Sequence, residues 1–62
     1  METVKYEVFV YGRYYNIDAV YDDGSRTSDH MRDGDITVDD VRLIHSIEHP
    51  ECKFGGVKYI FC

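Results

Sequence analysis

Nine residues near the start of the chain, Thr3 to Tyr11, alternate without a break. Val4, Tyr6, Val8 and Val10 fall on one side. Lys5, Glu7, Phe9 and Tyr11 fall on the other. A period of two belongs to a β-strand with one buried face, and a helix cannot segregate those residues. Val, Tyr and Phe also suit a pleated surface. A buried strand needs neighbours, so the rest of the chain must supply them.

It does so at once. Gly12-Arg13 offers a tight reversal, and a second alternating run extends from Tyr14 to Tyr21. Asp22-Asp23-Gly24-Ser25 holds an Asp-Gly pair, a strong hairpin signal. Arg26-Thr27-Ser28 begins a return strand. From Ser28 to Asp35 apolar residues almost vanish, and the segment reads as a loop pivoting on Gly34.

A helix is expected next. Thr37 is a good N-cap, and Asp40 lies three residues on, as a shortened capping box requires. Asp39 and Asp40 meet the positive end of the helix dipole. Val41, Leu43, Ile44 and Ile47 form a broad apolar face, with Arg42 and Ser46 opposite. His49-Pro50 ends the helix, because a residue before proline is pushed out of helical geometry. Phe54-Gly55-Gly56 reads as a turn and Val57 to Phe61 as a last strand. The expected fold is α+β: an antiparallel sheet of about four strands in the order β-β-β-α-β, with one helix packed on one face. Residues 1–62 form a single domain, since 62 residues cannot hold two cores.

Charge narrows the function. The chain carries 12 acids and 7 bases, a formal −5. That balance opposes direct binding to nucleic acid, which demands a basic footprint. It equally opposes an anionic membrane surface. No apolar run is long enough to span a bilayer and no signal-peptide pattern opens the chain, so a cytoplasmic location is expected. Cys52 and Cys62 make no disulfide framework and are expected as free thiols.

The acidity is regional. Residues 18 to 40 hold Asp18, Asp22, Asp23, Asp29, Asp33, Asp35, Asp39 and Asp40 against Arg26 and Arg32, a net −6, while the other 39 residues sum to +1. All eight acids are Asp, whose short side chain holds its charge close to the backbone. Asp collects in turns and caps for local reasons. The concentration here suits two further readings. One is imitation of a nucleic-acid backbone: side chains two apart on a strand repeat at about 6.8 Å, commensurate with successive phosphates. The other is a cation loop. Residues Asp29 to Asp40 resemble the calcium loop of the EF-hand and dockerin families, with Asp at positions 1, 5 and 12, Gly34 at 6 and Ile36 at 8. Met31 at position 3 and Asp40 in place of the long Glu depart from it. A third role, an edge strand added to a partner's sheet, stays open.

Catalytic and metal sets are missing. His45 and His49 share a helical face, with Cys52 close behind, yet a third firm zinc ligand and an HExxH context are absent. Ser25, Ser28 and Ser46 have no nucleophile-elbow setting. Gly55-Gly56 is no phosphate cradle. We expect no enzyme, no cofactor and no metal. Six tyrosines exceed what one small core hides. Tyr14 and Tyr15 face opposite sides, so at least one is exposed and suits an interface.

The whole profile is a very short domain with a regional Asp cluster, exposed Tyr and no catalytic set. It is similar to small phage-encoded inhibitors, especially anti-CRISPR proteins that act as acidic decoys. The resemblance implies a protein that occupies the basic nucleic-acid groove of a host nuclease complex, in the host cytoplasm. Asp18, Asp22, Asp23, Asp29, Asp33 and Asp35, with Tyr14 and Tyr21, are the expected partner-binding residues.

Overall fold

The computed structural model describes residues 2–33 and 36–62, with backbone alone for 29–33. Its elements follow the order β1 (Thr3–Tyr11), β2 (Tyr14–Val20), β3 (Arg26–Asp33), α1 (Val38–Glu48) and β4 (Lys53–Phe61). They build one four-stranded sheet in the order β3-β2-β1-β4. The α+β architecture expected from the sequence is present.

The sheet is not wholly antiparallel. β1–β2 and β2–β3 pair antiparallel, but β4 pairs parallel to β1. Topology supplies the reason. β3 points the same way as β1, and a strand–helix–strand passage returns the chain in its original direction. α1 therefore carries the chain across the sheet and sets β4 beside β1. Alternation within a strand reports its faces but not its direction.

β1 is central and its alternation is realised. Val4, Tyr6, Val8 and Val10 are buried with Ile17 and Ala19 of β2, Ile36 and Val41. Tyr15, Tyr21, Ile44, Cys52, Phe54, Val57 and Tyr59 pack around this core. The other sheet face carries Lys5, Glu7, Phe9 and Tyr11 and has no helix over it.

The first two turns form as expected. Tyr11 opposes Tyr14 across Gly12-Arg13. In the second hairpin the Gly24 amide donates to the Tyr21 carbonyl at 3.0 Å, and the Tyr21 amide to that of Ser25 at 2.9 Å. Gly24 takes φ +89°, the left-handed residue that closes a three-residue hairpin loop.

Two segments differ from the sequence reading. The polar stretch expected as a loop from Ser28 is strand as far as Asp33, paired with Tyr14 to Asp18 of β2. β3 is an edge strand, where polar and charged residues are normal because solvent bathes one side. Its backbone pairing outweighs the weak strand propensity of its side chains. The second difference is Gly55-Gly56, which is a bulge inside β4 rather than a turn before it. Val4 opposes Phe54 but Tyr6 opposes Val57, so two glycines stand against Lys5.

Each glycine there has its own reason. Gly56 adopts φ +106°, where an L side chain is strained. At Gly55 a Cβ would lie 2.7 Å from Lys5 Cγ, 2.8 Å from Thr3 Cγ2 and 3.1 Å from the Val4 carbonyl oxygen. Gly56→Ala is expected to cost about 1–3 kcal/mol. For a domain this small, 1 kcal/mol shifts Tm by about 4–8 °C. A melt unchanged within 2–3 °C (about half of that shift) would contradict the bulge.

The helix start is the one expected. Thr37 Oγ1 accepts from the Asp40 amide at 3.2 Å, and Asp40 Oδ2 accepts from the Thr37 amide at 3.0 Å. Tyr59 Oη donates to the Ile36 carbonyl at 2.7 Å, tying this entrance to β4. Burial, with the Asp40 charge nearby, pushes the Tyr59 phenol above its ordinary value.

The helix face needs correction. Leu43 is 61% and Ile47 70% exposed. The residues that meet the sheet are Val41, Ile44 and His45, an i, i+3, i+4 set. Eleven residues offer one contact stripe, and at 100° per residue Leu43 and Ile47 point away from it toward solvent. His45 takes an interior place among apolar residues because its polarity is met there. Its Nε2 lies 2.9 Å from the Cys52 carbonyl and its Nδ1 2.8 Å from Tyr6 Oη. A carbonyl only accepts, so Nε2 carries hydrogen, and in the neutral ring Nδ1 accepts from Tyr6. Tyr6 and Phe54 rings stack at 5.8 Å, and Phe54 meets His45 edge-on at 5.4 Å.

Candidate acidic interface

The eight acids between residues 18 and 40 do not form one uniform row. Asp18 lies on the helix-free face of β2 and is only 8% exposed. Asn16 Nδ2 donates to its Oδ1 at 2.9 Å, and Arg26 Nη1 approaches its Oδ2 at 3.5 Å. The same Arg26 pairs with Glu7 at 2.7 Å, and Ser28 Oγ donates to Asn16 Oδ1 at 3.0 Å. Asp18 is therefore spent inside the sheet and does not continue an exposed row with Asp22. Strand alternation put it on the solvent face. Cross-strand contacts with Arg26 and Asn16 cover it there.

Asp22 and Asp23 sit at the tip of the β2–β3 hairpin, both exposed. Asp22 Oδ2 accepts from the Thr3 amide at 3.0 Å, fastening the tip to the start of β1. Asp23 Oδ1 accepts from the Ser25 amide at 2.9 Å and from Ser25 Oγ at 2.6 Å. Those two donors hold the Asp23 carboxyl below the usual carboxylate range. Its charge, and the turn it braces, are present at neutral pH. The charge, and its contribution to bracing the turn, are lost as pH falls through that lowered folded value, while the backbone bonds of the turn remain.

Asp29 and Asp33 belong to the edge strand. Asp33 opposes Tyr14, and Asp29 is the residue skipped where the register shifts between Ile17 and Asp18. Asp35 lies outside the described residues. Asp39 is exposed in the first turn of α1, and Asp40 is engaged in the capping box. The acids thus run from the hairpin tip, along β3, to the start of the helix.

The calcium-loop expectation meets a geometric obstacle. Its positions 1 to 5, Asp29 to Asp33, are extended strand. Residues four apart on a strand are about 13 Å apart, while one calcium ion gathers its oxygens at about 2.3–2.6 Å. A coordinating loop must curl, and this one is paired to β2. No group of three or more metal-ligating side chains occurs among the described residues. The His45–His49–Cys52 combination does not assemble: both His45 ring nitrogens are engaged, and His49 Nε2 lies 3.3 Å from Tyr21 Oη. Cys52 and Cys62 are free thiols at opposite ends of β4. The nine strand residues between them hold them about 30 Å apart, far beyond the roughly 7 Å limit for a bridge.

The two tyrosines expected at an interface part company. Tyr14 is 51% exposed and stands beside Tyr11 on the helix-free face. Tyr15 packs on the core, as opposite alternation demands. Tyr21 is half-buried: its hydroxyl meets Thr27 Oγ1 at 3.2 Å as well as His49. It acts as a strut between hairpin and helix. The sequence alone did not reveal the separation of charge across the sheet. Lys53 and Lys58 occupy β4, with Lys5 on adjacent β1, while the acidic segment borders β3 at the other edge. Strand order decides this, and strand order was not readable.

No helix among the described residues is long and apolar enough to cross a membrane. No family model, curated protein or solved structure matches the chain.

Proposed function

We propose that this protein is a non-enzymatic inhibitor that docks its acidic edge into a basic groove built for nucleic acid. The partner is a nucleic-acid-handling complex of the CRISPR-effector kind, met in the host cytoplasm. The separation of charge carries this reading. Acids flank and occupy one edge strand, and the lysines of β4 lie three strand spacings away, about 14 Å. A groove lined with Lys and Arg would select one edge and repel the other. Asp22 and Asp23 are fixed by hydrogen bonds, so little side-chain entropy is lost on docking. Exposed Tyr14 and Tyr11 add rigid apolar area near the Asp33 end of the strand.

The test is competition. Purified protein is added to a panel of guide-loaded effector complexes, and binding of target duplex is measured. The expected result is displacement of duplex from at least one complex. Displacement should weaken steeply as salt rises from about 50 to about 300 mM. Failure across the panel, with a salt-resistant partner captured instead, would move the assignment to strand addition. The outer edge of β4 offers backbone for that, although its bulge and two lysines are features that usually protect an edge.

A further inference from the structure

The helix-free face of the sheet holds a hollow of about 260 Å³, bounded by Lys5, Glu7, Val20, Lys58 and the Gly55-Gly56 bulge. At Gly55 the space a side chain would fill is already taken by Lys5 Cγ and Thr3 Cγ2, and the opening lies on the Gly56 side of the bulge. Nothing lies within 4 Å of where a Gly56 Cβ would stand, so that side of the bulge opens outward. The lining is largely apolar: the Val20 side chain on this face and the backbone of the bulge. The charged rim is mostly cationic. Lys5 and Lys58 have no ion pair among the described residues, whereas Glu7 is held by Arg26 at 2.7 Å.

We propose that this hollow is a binding site for a small organic carboxylate with a compact apolar body. The body would lie against Val20 and the bulge, and the carboxylate would lie between Lys5 and Lys58. At about 30 Å³ per water, the space matches a molecule of single-ring size rather than a nucleotide. An apolar floor with few polar groups at the rim is the usual composition of such sites. The acidic edge at β3 plays no part, so the proposal stands apart from the inhibitor reading.

The probe is benzoate, ionised at neutral pH, with neutral benzyl alcohol as its control. Amide shifts are followed by NMR in low-salt buffer. Benzoate is expected to move the amides of Val20, Gly55, Gly56 and Lys58 saturably, and benzyl alcohol to leave them in place. In the Lys5→Gln/Lys58→Gln double variant, with its spectrum still dispersed, the affinity should fall about tenfold or more. Equal shifts with benzyl alcohol, a drift that never saturates, or unchanged affinity in the double variant would each overturn the site.

Discussion

Replacing His45 by Ala is expected to unfold most of the protein at room temperature. The imidazole is 6% exposed and bridges three elements: α1, Tyr6 on β1 and the Cys52 carbonyl before β4. Truncation removes ring packing against Tyr6 and Phe54 and takes one hydrogen-bond partner from the buried Tyr6 hydroxyl and one from the part-buried Cys52 carbonyl. Cavity formation costs about 2–5 kcal/mol for a large side chain, and each stranded polar group adds about 1–3 kcal/mol. A chain of this length has a total stability of only about 3–9 kcal/mol, by the usual per-residue range. The loss is therefore comparable to the whole. Tyr6→Phe keeps the ring and loses only the hydroxyl, so it should cost nearer 1 kcal/mol. Thermal melts by circular dichroism check both. A His45→Ala melt within about 4 °C of the parent, less than 1 kcal/mol by the usual scaling, would mean that this bridge contributes little.

The second large effect concerns binding. The variant carrying Asp22→Asn, Asp23→Asn, Asp33→Asn and Asp35→Asn moves the net charge from −5 to −1. Its affinity for the basic partner should fall by about a hundredfold or more, since charges paired across an interface couple strongly. The salt dependence should flatten with it. The fold should survive. Asn retains the carbonyl oxygen that accepts from Thr3 or Ser25, and at exposed positions such as Asp22 and Asp23 substitutions usually stay within about 0.5 kcal/mol. Calorimetry against the effector complex identified by competition gives the affinity, and a melt gives the stability. Unchanged affinity in a folded variant would remove the acidic edge from the function.

Some elements were legible because their signal is local. β1 declared itself by alternation over Thr3–Tyr11. The capping box at Thr37 and Asp40 needs residues only three apart, and it formed as read. Asp-Gly marked the second hairpin. The misreadings share one cause. Ser28 to Asp33 looks like a loop until β2 is known to run beside it. Gly55-Gly56 looks like a turn until β1 is known to pair on both sides of it. Leu43 and Ile47 look like core until the sheet is known to meet the helix at Val41, Ile44 and His45.

The candidate site divides the same way. The sequence shows that eight Asp gather between residues 18 and 40. It does not show that Asp18 is consumed by Arg26 and Asn16, because those contacts join residues on different strands. Nor does it place Lys53 and Lys58 on the edge opposite β3. By itself the sequence determined the faces of β1 and β2, the first two turns, the helix cap and the regional charge, all set by neighbours a few residues apart. The tertiary structure alone decided strand direction, the bulge, the burial of Asp18 and His45, and which charges share an edge. Those depend on which distant segments pair, a choice made by the free energy of the whole core rather than by any stretch of it.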